Sequence, residues 1–436
     1  MINELENVSS YIEDENSIII ELFDFSSLFT NIKILEKFGY EFVGDNGNFE
    51  FIMSGKKKVT FKVLGGQNYE IKMPNYDNCM VNIASSFINF YGGKSQYKTL
   101  EKLDTYLKNK FKHLAFIILD GLAVYAIENI LDKHNFLRKN MVDKISAVFP
   151  PTTACAIPCS ASGKLSLETG WIGWENYFDD INLDLVMFNG IDYKTGKRTG
   201  INVRQKYIPY EDYFQKFDTF VSDLEPSFLP NGFETFGLML ETLNQIQNAK
   251  EKSFTYAYWT EPDATMHQFG TDAAETKRVI IDLNDKLEDF INKMNKDSLL
   301  VITADHGHLN VNKIKLYEFE DIMECLERTP SNESRALCFK VKENKKEQFV
   351  KLFNKYFKSI YDLYSKEEFL EKGFLGDVNE FGKHPILDMF IGDYIAVAKS
   401  NYYFEYVKME EEFTFKSHHA GLTKEEMEVP LIIYHK

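Results

Sequence analysis

Asp305 and His306 stand side by side directly after the apolar run Leu299-Leu300-Val301-Ile302-Thr303-Ala304. A carboxylate next to an imidazole supplies the oxygen and nitrogen donors that a zinc-like dication prefers. The same arrangement recurs along the chain. Asp120 closes the run Leu114 to Leu119, and Asp263 with His267 follows Phe254 to Trp259. Thr152 and Thr153 come after Ile145 to Phe149, and His418-His419 precede the final run Pro430 to Tyr434. Asp263 and His267 are four apart, one helical turn, so both side chains can face the same ion. The alternative is capping aspartates and incidental histidines, which requires five independent coincidences among only nine histidines.

These groups share a setting. Each follows, or in one case precedes, an apolar or β-branched run that reads as a strand buried on both faces of a parallel sheet. In open α/β sheets the carboxyl ends of the strands form the ligand edge. Between the runs lie helical patterns; Thr271 to Lys296 carries apolar residues at Val279, Ile280, Leu283, Leu287, Phe290, Ile291 and Met294. Strands alternating with helices predict an α/β protein with a doubly wound, mostly parallel sheet.

Residues 1–73 read as a separate small α+β module. It has a strand at Ser17–Leu22, a helix at Ser27–Phe38, an Asn46-Gly47 hairpin signal, and alternation over Lys58–Val63. No chemistry is visible there. Pro74-Asn75 is a plausible joint, and residues 74–436 form the expected catalytic domain. The segment 310–416 leaves after one pair of candidate ligands and returns before another. It is too long for a loop and is expected to be an inserted cap subdomain leaning over the site. Its strand-like runs are Ala336–Val341 and Tyr394–Ala398, with a helix near Lys345–Phe357.

Composition narrows the function classes. Hydrophobic residues are 44% and aromatics 15%, enough for large cores. With 66 acidic against 50 basic residues the formal charge is −16, and no Lys/Arg run stands out. Bulk nucleic acid and anionic membranes are therefore disfavoured as partners. The five cysteines are scattered and form no zinc-finger spacing, the N-terminus lacks signal-peptide character, and no run approaches a membrane span. The expectation is a reduced, cytoplasmic protein.

In ordered sequence the pieces Ile-Leu-Asp120-Gly, Phe149-Pro-Pro-Thr-Thr153-Ala, Glu261-Pro-Asp263-Ala-Thr-Met-His267, Thr-Ala-Asp305-His306-Gly and His419-Ala-Gly-Leu resemble the alkaline phosphatase superfamily. The likeness is nearer to its nucleotide pyrophosphatase/phosphodiesterase branch, and it runs from about Asn75 to the C-terminus. It implies an alkaline-phosphatase-type fold and a two-metal site. One ion would be held by Asp120, Asp305, His306 and Thr153, the other by Asp263, His267 and His419. It selects Thr153 over Thr152 as the nucleophile and His419 over His418 as the ligand. Three histidines among carboxylates favour two zinc ions, with manganese second.

The resemblance implies hydrolysis of phosphodiester or phosphoanhydride bonds through a covalent phospho-threonine. The substrate would be a small anionic phosphate ester, with nucleotides among the candidates. Asn176 is a candidate for holding a phosphoryl oxygen, although its spacing departs from the family's. Ala154-Cys155-Ala156-Ile157 replaces the family's usual run after the nucleophile, which leaves substrate preference open. Cys155-Ala156-Ile157-Pro158 does not match the sulfatase nucleophile motif. Trp171, Trp174, Tyr177 and Phe178 could stack on a substrate group or serve as core. The alternatives are a phosphomonoesterase or phosphonate hydrolase of the same superfamily, and a regulatory or binding protein on the same scaffold.

Overall fold

The run expected to form the first buried strand does so. His113–Leu119 is buried at all seven positions and lies at the centre of a six-stranded sheet. The computed structural model describes residues 1–22, 27–45, 49–63, 69–408 and 413–436. The sheet order is Phe220–Leu224, Ser253–Trp259, His113–Leu119, Ser298–Thr303, Glu428–His435, Met141–Ser146. The first four strands are mutually parallel. Glu428–His435 runs antiparallel to both neighbours. Hydrophobic positions occupy both faces of Ser298–Thr303, as burial beneath helices on an α/β sheet requires.

Three local expectations shift. The strand predicted over Ile145–Phe149 is Met141–Ser146. Val148 and Phe149 are instead fully buried loop residues, because their apolarity serves packing, and Pro150-Pro151 has no N–H to extend a ladder. The last strand is longer than Pro430–Tyr434. Phe220–Leu224, an edge strand with only one buried position, was not apparent in the sequence. Helices follow the predicted stripes closely: Ala274–Lys293 buries Ile280, Leu283, Leu287 and Phe290.

A second six-stranded sheet is antiparallel throughout. It runs Tyr361–Ser365, Tyr394–Ala398, Ala336–Phe339, Ser331–Glu333, Glu175–Phe178, Leu183–Val186. Four of its strands come from the segment 310–416 and two from residues well before it. The N-terminal residues form a five-stranded sheet, with Val8–Glu13, Ser17–Leu22, Lys58–Val63, Phe49–Ile52 and Glu41–Asp45 in that order. Its helix is Leu28–Lys37. The Asn46-Gly47 turn lies outside the described residues, while the strands on either side of it pair antiparallel. This sheet shares an apolar core with the inserted segment; Phe42 stacks on Tyr356 at 5.8 Å between ring centroids.

Candidate metal centre

The topology gathers the candidate residues on one edge. His113–Leu119, Ser253–Trp259 and Ser298–Thr303 are parallel and end together, delivering Asp120, Asp263 and Asp305. Met141–Ser146 runs the same way and leads through 147–152 to Thr153, the first residue of the helix Thr153–Ser162. Glu428–His435 runs the opposite way, so its beginning, and the loop carrying His419, lie at that same edge. A two-residue ribbon closes the arrangement: Leu309–Asn310 pairs antiparallel with Ser417–His418. Two glycines permit the close packing. A Cβ on Gly307 would lie 1.9 Å from the Glu425 carbonyl oxygen, and one on Gly121, at φ +71°, would lie 3.1 Å from Asp263 and His308.

Two clusters of donors result. In the first, Asp120, Asp305 and His306 lie close enough to share one ion. His306 Nε2 is 3.3 Å from Asp120 Oδ1 and 3.4 Å from Asp305 Oδ2. Thr153 Oγ1 lies 3.2 Å from His306 Nε2 and 3.3 Å from Asp120 Oδ2. Backbone N–H groups of Gly121 and His306 both donate to Asp305 Oδ1 at 3.0 Å, and the Tyr258 hydroxyl donates to Asp120 Oδ2. In the second cluster, Asp263, His267, His308 and His419 converge. Asp263 Oδ1 is 2.6 Å from His308 Nε2, 3.3 Å from His267 Nε2 and 3.8 Å from His419 Nε2. The clusters touch, since the His306 and His419 rings stack at 3.8 Å.

The imidazoles are oriented from behind. His267 Nδ1 meets the Ser417 carbonyl at 2.9 Å, His308 Nδ1 meets Ser417 Oγ at 3.1 Å, and His419 Nδ1 meets the Pro151 carbonyl at 3.0 Å. Each therefore turns its Nε2 inward, as outer hydrogen bonds do for metal-binding histidines.

Electrostatics fit a cation. Burial, then the charge of Asp263, raises the Asp120 carboxyl well above its usual range. Burial and Asp120 push Asp305 up to about 8. Burial drives His308 down to about 3 and holds His419 well below the usual imidazole range, with His306 adding to the latter effect. Burial works against the Asp263 charge, yet His267 and His308 hold its carboxyl well below normal. Among the described residues, no Lys or Arg pairs with Asp120, Asp263 or Asp305. Asp305 Oδ2 is buried without a hydrogen-bond partner. Three clustered carboxylates without a Lys or Arg partner, two of them fully buried and one keeping an unused oxygen, suit divalent metal ions.

A cavity of about 280 Å³ opens over Thr153 and the second cluster. Thr152, Thr153, Asp263, His267, His418 and His419 form its floor side, while Trp174, Glu175, Tyr193, Asn332, Glu333, Ser334, Tyr406 and Phe415 complete its walls. Five of these, Asn332 to Ser334, Tyr406 and Phe415, come from the inserted segment.

The sequence profile of the type I phosphodiesterase / nucleotide pyrophosphatase family matches residues 184–421, more than half of the chain. The chain belongs to this family. Among solved structures it is similar to murine ectonucleotide pyrophosphatase/phosphodiesterase 5, with a TM-score of 0.56 at 16% identity, covering 74% of this chain and 88% of that one. An inactive form of that murine protein in complex with AMP gives a TM-score of 0.53 at 15% identity, covering 73% and 87%. Phosphonoacetate hydrolase from Sinorhizobium meliloti 1021, in complex with phosphonoformate, gives 0.51 at 14% identity, covering 74% and 89%. A search of curated proteins finds no match. The expected α/β fold of alkaline-phosphatase type is thus the fold of this chain.

Seven of the eight residues singled out in the sequence meet at this edge: Asp120, Thr153, Asp263, His267, Asp305, His306 and His419. Asn176 does not. Strand alternation turns its neighbour Glu175 to the cavity, and the Asn176 amide is buried elsewhere without a hydrogen-bond partner. Thr152 points to Glu333, donating to Oε1 at 2.7 Å. Sequence reading passed over His308, Tyr258, Glu175 and Glu333. His308 was detectable, being a third strand-end histidine two residues beyond His306. Nothing around Glu333 signals a site, because only the sheet pairing brings it there.

Proposed function

We propose that this chain hydrolyses phosphodiester or phosphoanhydride bonds through a covalent phospho-threonine at Thr153, with two divalent ions in the two clusters. The observation that carries this reading is Thr153 Oγ1, set between Asp120 and His306 at the mouth of a cavity that the second cluster also lines. Asp120, Asp305, His306 and Thr153 would hold one ion, and Asp263, His267 and His419 the other. Zinc suits this donor mixture best, manganese next. Bound dications would neutralise the buried carboxylates, acidify the Thr153 hydroxyl and a water, and offset charge developing at phosphorus.

The chain's own groups set the geometry. Asp120 accepts from Thr153 Oγ1 at 3.3 Å and so aims its lone pairs outward. The ten-residue helix begun by Thr153 points its positive end at the phosphoryl group. Thr153 Oγ loses its proton, forms the Oγ–P bond and breaks the bond to the leaving oxygen, which takes up a proton; water then cleaves Oγ–P, releasing the phosphomonoester and restoring the hydroxyl. A diester is favoured over a monoester because, among the described residues, no Lys or Arg lines the cavity to meet a second negative charge. Nucleotides are candidates, since a relative is known bound to AMP.

The test compares bis-p-nitrophenyl phosphate with p-nitrophenyl phosphate on metal-loaded protein. The diester should turn over faster. Thr153→Ala should abolish turnover with the metals retained, whereas Thr152→Ala keeps substantial activity. Acid-quenched protein should carry the phosphoryl adduct on Thr153; an adduct on Thr152 would refute this assignment.

A further inference from the structure

We propose that Glu333 is a positioning residue for the phosphoryl site, acting through Thr152. It turns the Thr152 hydroxyl away from the helix that Thr153 begins, so that the backbone N–H groups at that helix start stay open to a phosphoryl oxygen. This rests on the hydrolase reading above and adds a residue to it.

Thr152 stands at the capping position of the helix Thr153–Ser162, with extended backbone angles of φ −148° and ψ 147°. A threonine there ordinarily turns its hydroxyl oxygen onto the N–H of the second or third helical residue. Thr152 makes no such bond; its Oγ1 instead donates to Glu333 Oε1 at 2.7 Å. The Cys155 N–H is met by the Thr152 carbonyl at 3.0 Å. Among the described residues, the N–H groups of Thr153 and Ala154 meet no acceptor. Ala154 is buried, and a buried N–H left unpaired costs free energy unless something binds there. A phosphoryl group attacked by Thr153 Oγ1 brings an oxygen to that place, and the helix dipole adds to the attraction.

Glu333 is fixed in turn by its surroundings. Its Oε1 also accepts from the Trp174 backbone N–H at 2.7 Å, and its side chain is buried. The preceding Asn332 has φ +99°, a conformation that a side-chain-bearing residue adopts only where its neighbours impose it. Asn332 Nδ2 donates to the Ala336 carbonyl at 2.8 Å. A Cβ on Gly173 would lie 2.1 Å from Asn332 Oδ1, so glycine is what lets the segment before Trp174 approach this strand. Burial pushes the Glu333 carboxyl up to about 7. Oε1 accepts in either charge state, so the latch does not depend on ionisation.

A freed Thr152 hydroxyl needs only rotation about its Cα–Cβ bond to cap the helix and compete with phosphate. Glu333→Ala should therefore weaken inorganic phosphate binding to the metal-loaded protein by ~tenfold, the scale of one capping hydrogen bond. Adding Thr152→Ala removes the competing hydroxyl and should restore most of that loss, which a general packing defect at Glu333 would not allow. Glu333→Gln, which keeps the accepting oxygen, should bind phosphate as wild type does. The kcat/KM values for bis-p-nitrophenyl phosphate should follow the same order.

Calorimetric titration with inorganic phosphate reads the affinities, at metal contents matched by elemental analysis. If Glu333→Ala does not fold, Thr152→Asn decides. Asparagine can reach the helix N–H groups with Glu333 in place, so it should weaken phosphate binding by the same factor, while Thr152→Ala should not. Unchanged binding in Glu333→Ala, a double variant as weak as Glu333→Ala, or full binding by Thr152→Asn would overturn the proposal. So would wild-type protein that binds no phosphate. The titration needs no turnover: if no diester is hydrolysed, the order of phosphate affinities still decides the latch. If diesters are hydrolysed and that order is absent, the latch alone is wrong.

Discussion

Arg335 and Glu426 form a bidentate ion pair sealed from solvent, with Nε to Oε1 and Nη2 to Oε2 both at 2.8 Å and both side chains fully buried. Arg335 belongs to the inserted segment and Glu426 to the turn before the last strand. The same carboxylate accepts from the N–H groups of Gly421 and Thr423 and from Thr423 Oγ1. The Glu426 carbonyl accepts from Gly307 N–H at 2.9 Å. One residue therefore ties the loop of His419, the turn after His306 and the insertion together.

Removing one partner of such a pair leaves an uncompensated buried charge, so Arg335→Met should cost ~3–5 kcal/mol of stability. Urea denaturation of wild type and variant checks this. A loss below ~1 kcal/mol, the range of exposed pairs, would show that the pair is not shielded as described.

Metal-loaded protein should carry about two ions per chain, one per donor cluster. Asp305→Ala or His306→Ala should lose one of them and most activity. Elemental analysis gives the count, and a replete preparation with at most one ion would reject the two-site reading. Chelation should also lower the melting temperature, because ligand binding to the folded state alone contributes ~2.7 kcal/mol at a hundredfold excess over Kd.

His308 holds Asp263 Oδ1 at 2.6 Å and is itself anchored by Ser417. Residues that hydrogen-bond a metal ligand typically change metal affinity by ~10–100-fold, and His308→Ala should weaken the Asp263 cluster by that factor. Competition with a chromophoric chelator measures it; unchanged affinity would leave His308 without this role.

Asp184 supplies a pH test away from the metals. Burial pushes its carboxyl up to about 7, against the pull of Arg328, and its Oδ1 has no hydrogen-bond partner. The folded chain then keeps a proton there that the unfolded chain releases near pH 4. Native protein binds more protons across that window, so this group's contribution to stability falls as pH rises from about 4 to about 7. Asp184→Asn should raise the melting temperature at pH 8 and change it little at pH 4. Equal shifts at both values would contradict the raised pKa.

The sequence by itself specified the strands whose burial is two-sided. His113–Leu119, Ser253–Trp259 and Ser298–Thr303 are apolar runs because both faces are covered, and each ends in a residue type with few reasons to be there except chemistry. Asp120, Asp263, His267, Asp305 and His306 were legible for that reason. Where one short-range pattern serves two structures, the sequence was mute: Val148 and Phe149 look like strand and are loop, and Phe220–Leu224 looks like loop and is an edge strand.

Tertiary structure alone decided what crosses the chain. The antiparallel insertion of Glu428–His435 brings His419 to the ligand edge. Pairing of Ser331–Glu333 with Glu175–Phe178 brings Glu333 over Thr152, across more than a hundred and eighty positions. Strand alternation sends Asn176 away while presenting Glu175. Those outcomes depend on register and on which strand lies beside which. Register is set by long-range packing of whole faces rather than by any local signal.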